Sequence, residues 1–325
     1  MARNRKLFIH DIPYELTFRT ESGLPFPAQP LIKYAMESIL ARAQTLYGVE
    51  ITAVLLMSNH FHMIVTPTDP ASIPPFVAFI KRESAHMINH MVGRERHTVW
   101  EEGYDSVPIL DFEKVIERLA YIYTNPPRAG LEDSIDKYPN ISSWNAVING
   151  TETISRRAIP RENYPRMPGR KLGFDEQQLQ LESTIEQCTV EYSLTFDSFG
   201  WLRCYEETRE QDPEVIRKKI LDLVRAIEAD LRKKRKFPVK GAHALRLDQI
   251  DLNYQPKKRG KRMICLASTI ELRLRFISWF KHWSEIAQEV YQRWKCGDYS
   301  VLFPPGFFLP GGALASNLNP YFLHF

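Results

Sequence analysis

Along residues 51–66 hydrophobic and polar positions alternate. Ile51, Ala53, Leu55, Met57, Phe61, Met63 and Val65 take the odd places, while Ser58, His60, His62 and Thr66 take even ones. A period of two is that of a strand with one buried face, here the odd one. Ser58-Asn59 can split the run into a hairpin, and His60 and His62 share a face either way. Residues 7–20 alternate more loosely and predict a strand that ends at the Gly23-Leu24-Pro25 turn. Pro30 opens a predicted helix over Leu31 to Tyr47, with Gly48 just beyond its end. A second helix is expected from about Pro75 to Met91, and Trp100 to Leu110 reads as irregular with a short strand near Val107.

The period changes again at Phe112. Phe112, Val115, Ile116, Leu119, Ile122 and Tyr123 form one apolar stripe at helical spacing. Tyr121 falls opposite that stripe, with Lys114, Arg118 and Asn125 as neighbours, so Tyr123 is the core tyrosine and Tyr121 the displayed one. Asn125-Pro126-Pro127 is expected to stop the helix. Beyond Trp144 the texture shifts. Residues 150–172 are rich in Arg and Pro and read as a basic linker or strap. Two further helices are expected, one from Asp212-Pro213 to about Lys236 and one from Thr269 to Cys296. The last thirty residues read as aromatic, Pro- and Gly-rich loop, and no internal repeat is apparent.

At 325 residues the chain has room for two domains, or for one catalytic domain with a large extension. No apolar run is long enough to span a bilayer, since the greasy stretch from Phe303 to Ala313 is cut by prolines and glycines. The start, MARNRKLFIHDIPYE, lacks the apolar centre of a secretory signal. The sequons at Asn140 and Asn149 then carry no glycosylation message. Cys188, Cys204, Cys265 and Cys296 show no zinc spacing, so reduced thiols in a cytosolic protein are expected. Charge is uneven: residues 1–150 hold 14 Lys+Arg against 17 Asp+Glu, and the remainder 29 against 22. The excess lies in three blocks: Arg156, Arg157, Arg161, Arg166, Arg170 and Lys171; Arg232 to Lys236; and Lys257, Lys258, Arg259, Lys261 and Arg262. Such blocks attract polyanions, nucleic acid above all, although the second can simply finish a helix.

Two imidazoles at i and i+2 on a strand can grip one divalent metal. A tyrosine and an asparagine at i and i+4 on a helix share a face. His60, His62 and the Asn125 amide oxygen make an incomplete shell for Mg²⁺ or Mn²⁺, with positions left for phosphate oxygens and water. A phenolic oxygen beside such a metal is a minimal kit for cutting and rejoining a nucleic-acid strand through a phosphotyrosine link. Each part has a bland rival: hydrogen-bonded strand histidines, an idle surface tyrosine, a helix-stop asparagine. The combination is stronger, because each part sits on the polar face of an element whose other face is core.

Met57-Ser58-Asn59-His60-Phe61-His62-Met63-Ile64-Val65 resembles the signature of the HUH single-tyrosine transposases, specifically their REP-associated branch. Tyr121 to Leu131, reading YIYTNPPRAGL, is similar to that branch's tyrosine helix, and Tyr138-Pro139 with Ser142-Ser143-Trp144 to its closing motif. The likeness spans about residues 5–148. Ser58 stands where proline is common, Asn125 where insertion-sequence relatives have glutamine, and Pro127 where valine is frequent. A weaker likeness covers Trp294 to Asp298 and Phe303 to Gly306.

The resemblance implies an α/β (α+β) fold, a ferredoxin-like antiparallel sheet with flanking helices, followed by a mainly helical C-terminal extension. The expected division is a catalytic domain over 1–148, a basic linker over 149–172 and a helical, basic region over 173–325. It implies that Tyr121 attacks a DNA phosphate, leaving a 5′-phosphotyrosine link and a free 3′-OH, while His60, His62 and Asn125 hold Mg²⁺ or Mn²⁺. The implied partner is single-stranded or hairpin DNA, with no membrane. The implied setting is the bacterial cytoplasm, at the nucleoid when the protein is bound to DNA. Lys81, Arg82, Arg118 and Arg128, with Arg156, Arg157 and Arg161 from the strap, are the candidates for contact with the DNA backbone. Solvated surface charge is the rival reading of each one singly. The alternative function is a domesticated hairpin-binding protein that no longer transposes. Monomer and homodimer both stay open.

Overall fold

The computed structural model describes residues 8–95, 97–255, 263–304, 306–307, 309–311 and 313–315. The first strand, β1 (Tyr14–Arg19), leads to helix α1 (Pro30–Tyr47), then to β2 (Glu50–Met57) and β3 (His60–Thr66). Helix α2 (Ile73–Met91) and strand β4 (Asp105–Pro108) complete a βαββαβ unit. Its four strands are ordered β4-β1-β3-β2, and every neighbouring pair is antiparallel. This is the ferredoxin-like arrangement. Pro30 takes the first helical turn of α1, and Gly48 ends it in the left-handed conformation at φ 62.

The hairpin turn is Ser58-Asn59, because Met57 pairs with His60. A bulge between Ile51 and Ala53 then reverses the parity of β2. Ile51, Val54 and Leu56 join Phe61, Met63 and Val65 in a core with α1 and α2. Ala53, Leu55 and Met57 instead join Ile64 on the opposite face. The expected odd face is therefore right for β3 and holds in β2 only ahead of the bulge. Helices cover both faces of this sheet, which is why both faces of β2 are apolar.

The second face is covered by α3 (Phe112–Tyr123), whose N-terminus is capped by the Asp111 carboxylate accepting from the Lys114 amide. Tyr123 is fully buried, as its place on the apolar stripe requires, and shares a 2.9 Å hydrogen bond with Ser143 Oγ. The helix yields at Thr124, but a further turn follows as α4 (Asn125–Arg128). The prolines thus redirect the helix, since they tolerate a first turn.

After α5 (Trp144–Asn149) the structure departs from the expected linker. Residues Thr151–Arg157 form β5, paired antiparallel with β6 (Glu191–Asp197). β6 runs parallel to β2, giving one six-stranded sheet ordered β4-β1-β3-β2-β6-β5. The odd residues of β5 are exposed, as on an edge strand open on one face, and this made the segment read as polar strap. Its arginines are tied inward: Arg156 Nε donates to Glu37 Oε2 at 2.7 Å and Arg161 Nη2 to Glu83 Oε1 at 2.6 Å, both carboxylates being buried. Arg166 donates to the His90 carbonyl and Arg170 to Glu176. The Arg157 amide donates to Tyr34 Oη and its guanidinium to the Ile185 carbonyl.

The C-terminal half is mainly helical, with α6 (Phe174–Glu186), α7 (Pro213–Lys234), α8 (Ala242–Arg246) and α9 (Ile270–Lys295). Ile216, Ile220 and Val224 of α7 enter the same core as α3, and α9 is buried through Phe276 and Ala287. Between α7 and α9 the chain wraps the first unit: Lys240 and Gly241 amides donate to Gly130 and Leu131 carbonyls, Leu24 bridges Asp251, and Leu266 bridges Ile109. A short parallel pair, β7 (Leu302–Phe303) and β8 (Leu314–Ala315), lies near the end. The basic block Lys257, Lys258, Arg259, Lys261 and Arg262 lies outside the described residues.

Among the described residues, Arg156→Ser leaves the buried Glu37 carboxylate with only Lys33, at 4.0 Å. Urea unfolding should show a loss of about 1–3 kcal/mol, the cost of a buried group left under-satisfied. A substitution on a free linker would change stability by less than about 0.5 kcal/mol.

Candidate active site

Strand β3 brings His60 and His62 to the face covered by α3, beside Ile64. Across the sheet they meet β1, where Arg19 pairs with His60 and Thr17 with His62. Tyr14, Leu16 and Phe18 point into the α1–α2 core, so alternation puts Glu15, Thr17 and Arg19 on the histidine face. The two imidazole centroids are 5.0 Å apart with their planes at 81°.

His60 is half-buried, and its Nδ1 lies 2.8 Å from Asn59 Oδ1. With that oxygen as acceptor, Nδ1 carries the proton and Nε2 keeps the lone pair. Burial first, then the charges of His62 and Arg19, push the pKa of His60 down to about 3, so the ring is neutral at physiological pH. His62 is buried, and its Nδ1 stands 3.4 Å from Glu15 Oε1. No hydrogen bond to Nδ1 is formed among the described residues, so the contact is best taken as electrostatic, at a distance long for a hydrogen bond. Each imidazole thus has an oxygen on its Nδ1 side, and in His60 the hydrogen bond leaves Nε2 as the free nitrogen, the way metal-binding histidines are oriented by their outer neighbours.

Glu15 was not among the residues singled out from the sequence. It is buried, and both its oxygens accept from Arg118, Nε at 2.7 Å and Nη2 at 2.7 Å. Burial pushes its carboxyl up, but the contacts with His62 and Arg118 outweigh burial and hold it below the usual carboxylate value. A signal existed: Glu15, Thr17 and Arg19 are the polar positions of an alternating strand. Pairing of β1 with β3, which sequence does not reveal, was needed to place them beside the histidines.

Tyr121 is half-buried on α3, its ring edge-on to His62 with centroids 5.9 Å apart at 85°. The Arg118 guanidinium lies 4.0 Å from the Tyr121 ring centroid and that of Arg128 5.7 Å. Asn125 Nδ2 donates to the Tyr121 and Ile122 carbonyls, both at 3.2 Å. This commits the amide nitrogen and leaves Oδ1 as the atom to offer a ligand. Two imidazoles and one amide oxygen are a donor set that could hold a divalent cation. Among the described residues, no group of three His, Cys, Asp or Glu side chains is arranged to hold a metal.

His60, His62, Tyr121, Asn125, Arg118 and Arg128 are therefore gathered at one place. Arg118 is spent on Glu15, whereas the Arg128 side chain is exposed and, among the described residues, hydrogen-bonded only through Nε to Thr124 Oγ1. The other predicted DNA contacts are not gathered there. Lys81 and Arg82 lie on α2, across the sheet, where Lys81 Nζ donates to the Glu101 and Gly103 carbonyls and Arg82 pairs with Glu83. Arg156 and Arg161 are held by Glu37 and Glu83, and Arg157 lies on the same distant edge.

Residues 9–125 match the family model described as transposase, IS200-like. Among solved structures the chain is similar to a REP-associated tyrosine transposase bound to a REP hairpin, at 18% identity and a TM-score of 0.40, covering 46% of this chain and 86% of that one. It is also similar to a protein assigned as a transposase from Deinococcus radiodurans R1, at 19% identity and a TM-score of 0.26, covering 38% and 94%. No curated protein matches. The stretch that matches the IS200-like transposase model, residues 9–125, holds both histidines, the tyrosine and the asparagine.

Proposed function

We propose that this chain is a metal-dependent DNA strand transferase that cuts single-stranded, hairpin-forming DNA with Tyr121 as nucleophile. The observation that carries the reading is the setting of Tyr121, edge-on to His62 at 5.9 Å with Asn125 one helical turn further on. The Tyr121 oxygen gives up its proton and forms a bond to phosphorus, while the bond from phosphorus to the 3′ oxygen breaks. The 3′ oxygen leaves as a hydroxyl and the 5′ side stays on the tyrosine. Attack by a 3′-OH reverses these steps and rejoins a strand.

His60, His62 and Asn125 would hold Mg²⁺ or Mn²⁺, which polarises a phosphate oxygen when bound. Asn59 fixes the tautomer of His60 by its hydrogen bond, and the Glu15 carboxylate faces Nδ1 of His62 at 3.4 Å. The Arg118–Glu15 pair holds the face of Tyr121 against rotation. Arg128, exposed beside the same ring, is the cation placed to meet a phosphate. In the matched family segment these residues would act on DNA, and no helix among the described residues is long and apolar enough to cross a membrane.

With a 3′-labelled hairpin oligonucleotide and Mg²⁺ or Mn²⁺, the purified protein should give a covalent adduct on a denaturing gel. Tyr121→Phe should abolish that adduct and leave binding nearly unchanged, because only the nucleophilic oxygen is removed. Tyr123→Phe should keep the adduct, since that ring is buried on the far side of the helix. The reverse result would overturn the assignment of the nucleophile, and binding without any adduct would favour a hairpin-binding protein.

His60→Ala and His62→Ala should each cut adduct formation by at least about tenfold, as loss of a metal ligand or its orienting neighbour does. EDTA should have the same effect on the unaltered protein. Full activity in chelator would remove the metal from the reading.

A further inference from the structure

Phe237 is 79% exposed, more than any other large hydrophobic side chain among the described residues. It follows the block Arg232-Lys233-Lys234-Arg235-Lys236 and precedes Pro238. Helix α7 ends at Lys234, and Arg235 is already extended at φ −71 and ψ 133. Pro238 keeps Phe237 away from helical geometry as well, so the ring stands on a short, stiff connection.

That connection is fastened at both ends to the segment that directly follows Asn125. Arg235 Nη2 donates to the Pro127 carbonyl at 3.3 Å, and Nη1 pairs with Asp133. Lys240 and Gly241 amides donate to the Gly130 and Leu131 carbonyls at 3.0 and 2.9 Å. Residues 236–239 therefore bridge two fixed points beside the turn that bears Asn125 and Arg128. The charges nearby are unequal in their freedom. Lys234 is paired with Asp230, Arg235 with Asp133, and Arg232 stands 4.0 Å from Asp133. Lys233 and Lys236 are exposed and have no acidic partner among the described residues.

We propose that Phe237 is a stacking platform for an unpaired base of the DNA strand entering the candidate active site, with Lys233 and Lys236 meeting the flanking phosphates. The proposal rests on the strand-cutting reading above for the nature of its ligand. An aromatic ring among cations is the combination that binds single strands without sequence preference, because every base offers a flat face. A paired duplex hides those faces, and a neutral apolar partner would leave the lysines facing an uncharged surface. Among the described residues the ring is left largely open to water, whereas a base would cover it. The C-terminal half thus contributes to substrate holding through the end of α7, and not through the arginines of β5, which are used within the fold.

The test is binding of the full-length protein, in EDTA so that cleavage is stopped, to a hairpin oligonucleotide with single-stranded flanks. Phe237→Ala should weaken binding by roughly five- to a hundred-fold, the range for loss of one stacked base, and Phe237→Trp should restore it. An abasic position scanned along the flank should weaken the unaltered protein at one site and have no added effect there in Phe237→Ala. Lys233→Ser with Lys236→Ser should lower the log–log salt slope by about 1.4, at about 0.7 per contact. Unchanged affinity for Phe237→Ala, or abasic effects that simply add, would overturn the proposal. The two readings part cleanly: an adduct lost in Tyr121→Phe with full affinity in Phe237→Ala removes only the platform. An adduct that survives Tyr121→Phe with affinity lost in Phe237→Ala removes only the nucleophile.

Discussion

A buried carboxylate, Glu15, ties the nucleophile's helix to the sheet that carries the histidines. An ionised carboxyl cannot sit in a core unless its lone pairs are filled, and Arg118 fills both oxygens from α3. The fork geometry of guanidinium fixes direction as well as distance, which a lysine would not do. The same carboxylate faces His62, and the same guanidinium lies against the Tyr121 ring. One ion pair therefore ties the rotation of α3, the charge beside a histidine and the attitude of the tyrosine together. Its cost in desolvation is accepted where the fold needs one arrangement rather than many.

What could be read from sequence followed the local periods. Alternation placed His60 and His62 on one face, and the helical stripe separated Tyr123 from Tyr121; the buried Tyr123 and the half-buried Tyr121 agree. The βαββαβ order, and the end signals of α1 and α7, were legible for the same reason. What was missed depends on partners far apart in the chain. Glu15 meets Arg118 across 103 positions, Arg156 meets Glu37 across 119 and Arg161 meets Glu83 across 78. Nothing local distinguishes an arginine that answers a buried carboxylate from one that waits for a phosphate. The bulge at Thr52 is hidden similarly, since both faces of β2 are apolar and parity leaves no mark.

The chain beyond α5 is not an appendage to the first unit. It supplies two strands to the sheet, a helix to the core beneath α3, and a long wrap that returns to Gly130, Leu24 and Pro108. Its charges divide into two kinds. Arg156 and Arg161, on and after β5, neutralise carboxylates that α1 and α2 bury, so they belong to the stability of the fold. Those at the end of α7 sit at the surface beside the segment following Asn125, and only some of them are answered within the protein.

The parallel pairing of β6 with β2 has a consequence for how copies of this chain meet each other. β2 is the last strand of the ferredoxin-like unit, and it is apolar along nearly its whole length. Residues 141–143 cover it near Val54 and Leu56, and β6 covers it near Ile51. A long apolar edge left open would be a template on which a second chain could add its own strand. β5, which takes over as the outer edge, shows Thr151, Thr153, Ser155 and Arg157 on its exposed face. The extension thus replaces an apolar border with a hydrated one, less suited to adding a strand from a second chain.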